Sequence, residues 1–179
     1  MDFTLSKEHE MLRDMYRKFT ENEVKPLAED IDEQERFPVE TVKKLARYGF
    51  MGIPFPKEYG AGGDMLAYVM AVEELSKACG TTGVIVSAHT SLCCAPIYEN
   101  GTEAQKRKYL PKLLSGEHLG AFALTEPGAG TDAAGQQTRA ELQGDNYILN
   151  GTKIFITNAG YADIYIVMAM TDKSQGTRG

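Results

Sequence analysis

The hydrophobic period of the chain changes once, near residue 118, and that change limits what the chain can fold into. Before it, apolar residues recur at three- and four-residue spacing, the mark of amphipathic helices. After Leu119 they form short β-branched and aromatic runs, Tyr147-Ile-Leu149, Lys153-Ile-Phe-Ile156 and Ala162-Asp-Ile-Tyr-Ile-Val-Met-Ala-Met170, separated by turn residues. Segregated helices and strands define an α+β plan. The expected organisation is an all-helical domain over residues 1–118 followed by the first part of an antiparallel β domain over residues 119–179. The polar tail Thr171-Asp-Lys-Ser-Gln-Gly-Thr-Arg-Gly179 offers no closing strand, so the β domain reads as incomplete.

The helical half is punctuated by local signals. Ser6 is a fair cap for a helix over residues 6–27 that carries Met11, Leu12, Met15, Tyr16 and Phe19 on one stripe, and Pro26 kinks or ends it. Residues 29–35 are acidic and read as solvated. A second helix runs over residues 37–48, with Pro38 in its first turn and Gly49 as its stop. The Gly- and Pro-rich stretch 51–63 is too broken for regular structure, but Ile53, Phe55 and Tyr59 suit a loop packed on the body. Asp64 caps a helix to Lys77, with Met65, Tyr68, Val69, Val72 and Leu75 on one side. Residues 81–98 are apolar nearly all round, as befits a core helix, while Ser87, Thr90 and Ser91 leave room for a ligand. Thr102-Glu-Ala-Gln105 is a capping box for a helix to Leu114.

Composition excludes several functions. With a net charge of −6 and pI near 5.1, the chain lacks the basic face that nucleic-acid binding requires. No apolar run approaches the roughly 18 residues needed to span a membrane. The start, Met1-Asp-Phe-Thr-Leu, has neither a secretory plan nor the Arg- and Ser-rich character of a transit peptide, which makes the cytoplasm the default. Cys79, Cys93 and Cys94 suit a reducing compartment and small buried roles, and His9, His89 and His118 are too scattered for a metal site.

The chemistry-bearing stretch is Leu124-Thr-Glu-Pro-Gly-Ala-Gly-Thr-Asp132, after the small apolar run Leu119-Gly-Ala-Phe-Ala-Leu124. Glycines at 128 and 130 let backbone N–H groups converge on an anion, with the Thr125 and Thr131 hydroxyls beside them. The ordinary alternative is a Pro-Gly surface turn. A dinucleotide fingerprint fails on context, because Ala133-Ala-Gly-Gln-Gln-Thr-Arg-Ala140 carries no helical stripe and Gly144-Asp145 and Asn150-Gly151 are hairpin signals. A Walker loop fails because no Lys-Ser or Lys-Thr follows the glycines.

The same stretch resembles the signature of the acyl-CoA dehydrogenases, with Gly135 at the family spacing. Leu149-Asn-Gly-Thr-Lys-Ile-Phe-Ile-Thr-Asn158 matches a second family block. The resemblance runs from the first helix to Gly179 and is closest to bacterial short-chain, butyryl-CoA-type enzymes. It implies the N-terminal part of a flavoprotein that introduces an α,β double bond into a short-chain acyl-CoA and passes electrons through FAD to an electron-transferring flavoprotein. It also implies a homotetramer when full length, with a completed β domain and a C-terminal helical bundle that these residues lack. Phe122, Ala123, Leu124, Thr125, Gly130, Thr131, Phe155, Ile156 and Thr157 would contact FAD, with Phe155 where relatives often have Trp. Thr131, Ser87, Thr90, Ser91 and Leu92 would contact the substrate. The resemblance assigns Glu126 no catalytic role and puts the base, a Glu, in the absent bundle, so no residue here is expected to be catalytic. The pleat of a 153–157 strand would put Phe155 and Thr157 on one face. Other functional classes are a non-catalytic flavin- or CoA-binding or assembly module, and a flavin-dependent hydroxylase of the same fold.

Overall fold

A computed structural model describes residues 4–179. Met1, Asp2 and Phe3, which begin the stretch weighed above as a targeting signal, lie outside the described residues. Helix α1 (Lys7–Phe19) opens at Ser6, whose hydroxyl accepts from the His9 amide. The helix does not stop at Pro26. A five-residue segment, Thr20–Val24, widens it to i→i+5 bonding (Lys25 N–H to Thr20 C=O), a tight turn follows over Lys25–Leu27, and α2 (Ala28–Glu33) continues. The acidic stretch is mostly helix, with Glu29, Asp32, Glu33 and Glu35 exposed as expected and Ile31 turned inward and buried. Of the predicted α1 stripe, Tyr16 and Phe19 enter the core while Met11 and Met15 stay exposed.

Helix α3 (Val39–Arg47) starts at Pro38 and ends before Gly49, which takes the left-handed conformation at φ 76°. The following loop packs inward as expected, burying Phe50, Met51, Ile53 and Phe55. Helix α4 (Met65–Ala78) is capped by Asp64, whose carboxylate accepts from the Ala67 amide at 2.8 Å. Its buried face is Ala67, Tyr68, Met70, Ala71, Glu74 and Leu75; Met65 and Val69, predicted to share the apolar side, are exposed. Glu74 is buried against α1 because Arg17 (3.3 Å) and Lys77 (3.1 Å) reach its carboxylate, and the Arg17 hydrogen bond leads in holding its pKa below the usual range.

The predicted core helix is continuous from Gly80 to Asn100 in three parts. These are α5 (Gly80–Ser87), a second widened segment (Ala88–Cys94) with Ala95 N–H bonded to Thr90 C=O, and α6 (Ala95–Asn100). Helix α7 (Glu103–Leu114) opens with the expected capping box. All three cysteines are free and buried. Burial pushes the Cys93 thiol up to about 11 and the Cys94 thiol well above its ordinary range, as suits packing groups.

Strand β1 (Gly120–Ala123) begins a two-stranded sheet with β4 (Ile164–Val167), and this long-range pairing is parallel, Gly120 opposite Ile164 and Phe122 opposite Ile166. The antiparallel pairing is local: β2 (Arg139–Gln143) and β3 (Asn146–Asn150) form a hairpin closed by Gly144-Asp145, with Gly144 at φ 62°. Asn150-Gly151 makes no second hairpin. Residues 153–156, predicted as a strand, form none, and the last predicted strand is confined to Ile164–Val167. Among the described residues no helix is long and apolar enough to cross a membrane, and no cluster of metal-ligating side chains occurs.

Candidate functional site at the helix–sheet junction

Two segments that carried the sequence signal meet in one pocket of about 140 Å³. Phe122, Leu124 and Thr125 come from β1 and the turn after it, Phe155, Ile156 and Thr157 from the second block, and Ala88 and Leu92 from the widened helix segment. Ala88 and Leu92 stand four residues apart, one turn on a helix, so they share a face. Leu92 was predicted; Ala88 was not, and its one sequence signal is that spacing. No charged side chain lines the pocket. Thr125 and Thr157 are half-buried in its wall, and Phe155 is 88% exposed.

The second block reaches this pocket without being a strand. Ile154 N–H donates to Thr125 C=O at 2.9 Å, which ties the two blocks together at the backbone. Phe155 then adopts φ 55° and Asn158 φ 73°. For an aromatic residue this left-handed conformation is costly and persists only where the surroundings enforce it. The pleat argument for Phe155 and Thr157 therefore fails. The two residues share the pocket because the backbone turns at Phe155, not because it stays extended.

Lys153 and Glu126 supply the enforcement. Lys153 Nζ donates to Leu124 C=O (2.7 Å), to Glu126 Oε1 (2.9 Å) and to Gln136 Oε1 (3.2 Å). Glu126 also accepts from the amides of Gln137 (2.5 Å) and Thr138 (2.9 Å). Burial alone would raise the Glu126 pKa; the hydrogen bonds from Thr138, Lys153 and Gln137 outweigh it and hold the carboxyl at about 2. A carboxylate so committed is unsuited to take a proton from a substrate. Its role as the clasp between the two blocks escaped sequence reading, because the two partners lie 27 residues apart. The Glu126 and Ala129 backbones bond to each other around Pro127 and Gly128 (3.0 and 3.1 Å), and neither Gly128 nor Gly130 takes a positive φ. The turn is thus an ordinary closed one.

The remaining predicted residues fall outside the pocket lining. Ala123 is buried in β1, and its carbonyl accepts from Met168 N–H at 3.0 Å. Gly130 and Thr131 are exposed beyond the turn. Thr90 is buried with its hydroxyl unpartnered, the Ser91 hydroxyl bonds to Tyr68 OH at 2.7 Å, and the Ser87 carbonyl accepts from the same tyrosine at 3.4 Å. The far end of the second block is fixed by Tyr161, whose ring stacks on Phe37 with centroids 4.0 Å apart.

Residues 4–179 thus form a helical body feeding a small β unit, with a pocket that no charged side chain lines at their junction. The family model for the acyl-CoA dehydrogenase N-terminal domain matches residues 6–117, and that for the middle domain matches residues 121–179. The chain belongs to the acyl-CoA dehydrogenase family. It is 64% identical over 180 residues to the short-chain specific acyl-CoA dehydrogenase of Clostridium acetobutylicum, covering 100% of this chain and 48% of that protein. The solved butyryl-CoA dehydrogenase of Megasphaera elsdenii superposes with a TM-score of 0.94 at 47% identity, covering 100% of this chain and 48% of that one. A chain solved in work on the electron-transferring flavoprotein of Acidaminococcus fermentans gives a TM-score of 0.96 at 53% identity, with coverage of 100% and 47%. The chain thus spans about half the length of the relatives it matches.

Proposed function

We propose that these residues are the N-terminal part of a FAD-dependent acyl-CoA dehydrogenase acting on short-chain thioesters such as butyryl-CoA. In this reading residues 1–118 and 119–179 are the helical domain and the opening of the β domain. The full-length enzyme works in the cytoplasm as a homotetramer and hands electrons to an electron-transferring flavoprotein. The observation that carries the reading is the convergence of Phe122, Leu124 and Thr125 with Phe155, Ile156 and Thr157 on one uncharged pocket.

The residues fit a flavin edge. The lining is aromatic and aliphatic, as a flat ring system needs, and two threonine hydroxyls can donate to or accept from its polar rim. Phe155, exposed and held in place by its backbone, is free to stack on a bound ring. When bound, FAD supplies the acceptor for the hydride that leaves the substrate's β carbon. Ala88 and Leu92 line the pocket from the helix side with apolar surface. Thr131, Ser87, Thr90 and Ser91 stay as proposed substrate contacts, with Leu92 shared between the two sets. No pocket residue is ionisable, so the base that takes the α proton belongs to the part of the enzyme beyond these residues.

The full-length protein should purify yellow, and butyryl-CoA should bleach it with a higher specificity constant than octanoyl-CoA. A colourless protein that FAD does not reconstitute would sink the reading, and octanoyl-CoA as the better substrate would sink the short-chain assignment. Residues 1–179 alone should give no turnover with added FAD.

A further inference from the structure

Gly120, the first residue of β1, has both its peptide groups held by side chains from other elements. Its N–H donates to His89 Nδ1 at 2.9 Å, and its C=O accepts from Asn158 Nδ2 at 3.0 Å. His89 is fully buried in the widened helix segment, one residue after Ala88 and three before Leu92. Because Nδ1 accepts, the ring proton sits on Nε2, which donates to Leu113 C=O at 3.1 Å. Asn158 follows Thr157, is 6% exposed, and gives its second amide hydrogen to Ile85 C=O at 3.2 Å. Gly120 itself stands two residues before Phe122. A side chain at 120 would not fit, since a Cβ there would lie 2.5 Å from Cys93 Sγ.

The three walls of the pocket therefore meet at one residue: the helix through His89, the strand through Gly120, and the second block through Asn158. We propose that His89 and Asn158 are positioning residues that hold these walls in register through Gly120, so that the pocket is already formed before a cofactor enters it. The inference rests on the flavin reading of the pocket. A purely structural role would make the same residues matter for folding but not for how well a folded protein takes up its cofactor. Preorganisation predicts more, because any ordering not done in advance must come out of the binding free energy.

The test uses the full-length protein. Asn158→Gly keeps the left-handed backbone inexpensive while deleting both side-chain hydrogen bonds, and His89→Leu deletes the acceptor for Gly120 N–H. In each soluble, folded variant the FAD Kd should rise by roughly tenfold or more and the bound flavin's absorbance should shift. His89→Asn, whose Oδ1 can stand where Nδ1 stood, should return the Kd to within about threefold of wild type. Leu45→Ala, a fully buried change in the helical core, serves as the control and should lower Tm with the Kd unmoved. If His89→Leu and Asn158→Gly lose Tm as Leu45→Ala does but keep wild-type affinity and spectrum, the proposal is overturned. Should neither fold, amide exchange of the wild type decides: Gly120 N–H protected equally with and without FAD supports the proposal, and fast exchange in the flavin-free protein overturns it. A wild type that binds no FAD fails the earlier reading and this one with it, whereas loss confined to the variants speaks to His89 and Asn158 alone.

Discussion

The two fastenings around the pocket solve the same problem by opposite means. Between the blocks, the Glu126–Lys153 clasp uses full charges, with both side chains at least nine-tenths buried. At the helix–sheet junction, His89 and Asn158 use neutral groups throughout. A buried ion pair gains Coulomb energy but must offset the loss of water around each charge, and losing one partner strands the other. Neutral donors and acceptors give less per bond and leave less exposed to failure. The clasp sits where a costly backbone turn at Phe155 has to be enforced; the neutral grip sits where packing is close enough to exclude a single methyl group.

Breaking the clasp should have the largest effect. Lys153→Met leaves the Glu126 carboxylate buried with its two amide donors and no counter-charge. We expect a loss of about 3–5 kcal/mol, measured by urea unfolding of the full-length protein. A loss below about 1 kcal/mol would mean that the ion pair is not what holds the second block.

Acid separates the two fastenings next. Burial holds the His89 pKa at about 4, below its ordinary 6.5, and the Leu113 carbonyl only partly opposes this. The unfolded chain then takes up a proton that the folded one refuses, so this contribution is complete above about pH 6.5 and is lost as pH falls from 6.5 to about 4. For Glu126 the corresponding loss runs from about pH 4.5 to about 2. Within each window the slope is about 1.4 kcal/mol per pH unit for one group. Unfolding free energy followed against pH should lose the upper slope in His89→Asn and keep the lower one. In Lys153→Met the lower contribution should shrink and the upper one remain.

The smallest effect belongs to Thr157, which neither fastening includes. Thr157→Val keeps shape and branching, so folding should hardly change. A lost hydroxyl contact of about 0.5–1.5 kcal/mol should show as a shifted flavin potential or slower flavin reduction. An unchanged potential and rate would leave Thr157 as a wall residue only.

What could be read in the sequence was what local chemistry decides. Ser6, Asp64 and the Thr102–Gln105 box fixed three helix starts, and Gly144-Asp145 marked a true hairpin turn. The pocket's two halves were found by motif, yet their geometry was misjudged. Lys153-Ile-Phe-Ile156 has good strand propensity, and only the distant partners of Lys153 and Asn158 bend it into the left-handed turn at Phe155. The parallel pairing of β1 with β4 was likewise invisible, since it joins residues more than 40 apart. Met65 and Val69 stand four residues apart on one face of α4, but the buried face, Ala67, Met70, Ala71, Glu74 and Leu75, is turned away from them, so spacing alone misplaced the apolar side.

The widened helix segment Ala88–Cys94 makes chain length, beside the identity of His89, a thing that must be kept there. An α-helix advances about 100° per residue, so removing one residue would restore a regular spiral and rotate everything after it by that angle. Ile97 would swing out of the core it shares with Leu110 and Leu113, and His89 could no longer face Gly120 while Leu92 faced the pocket. Insertions and deletions between 88 and 94 should therefore be tolerated less readily than most substitutions in the same seven positions.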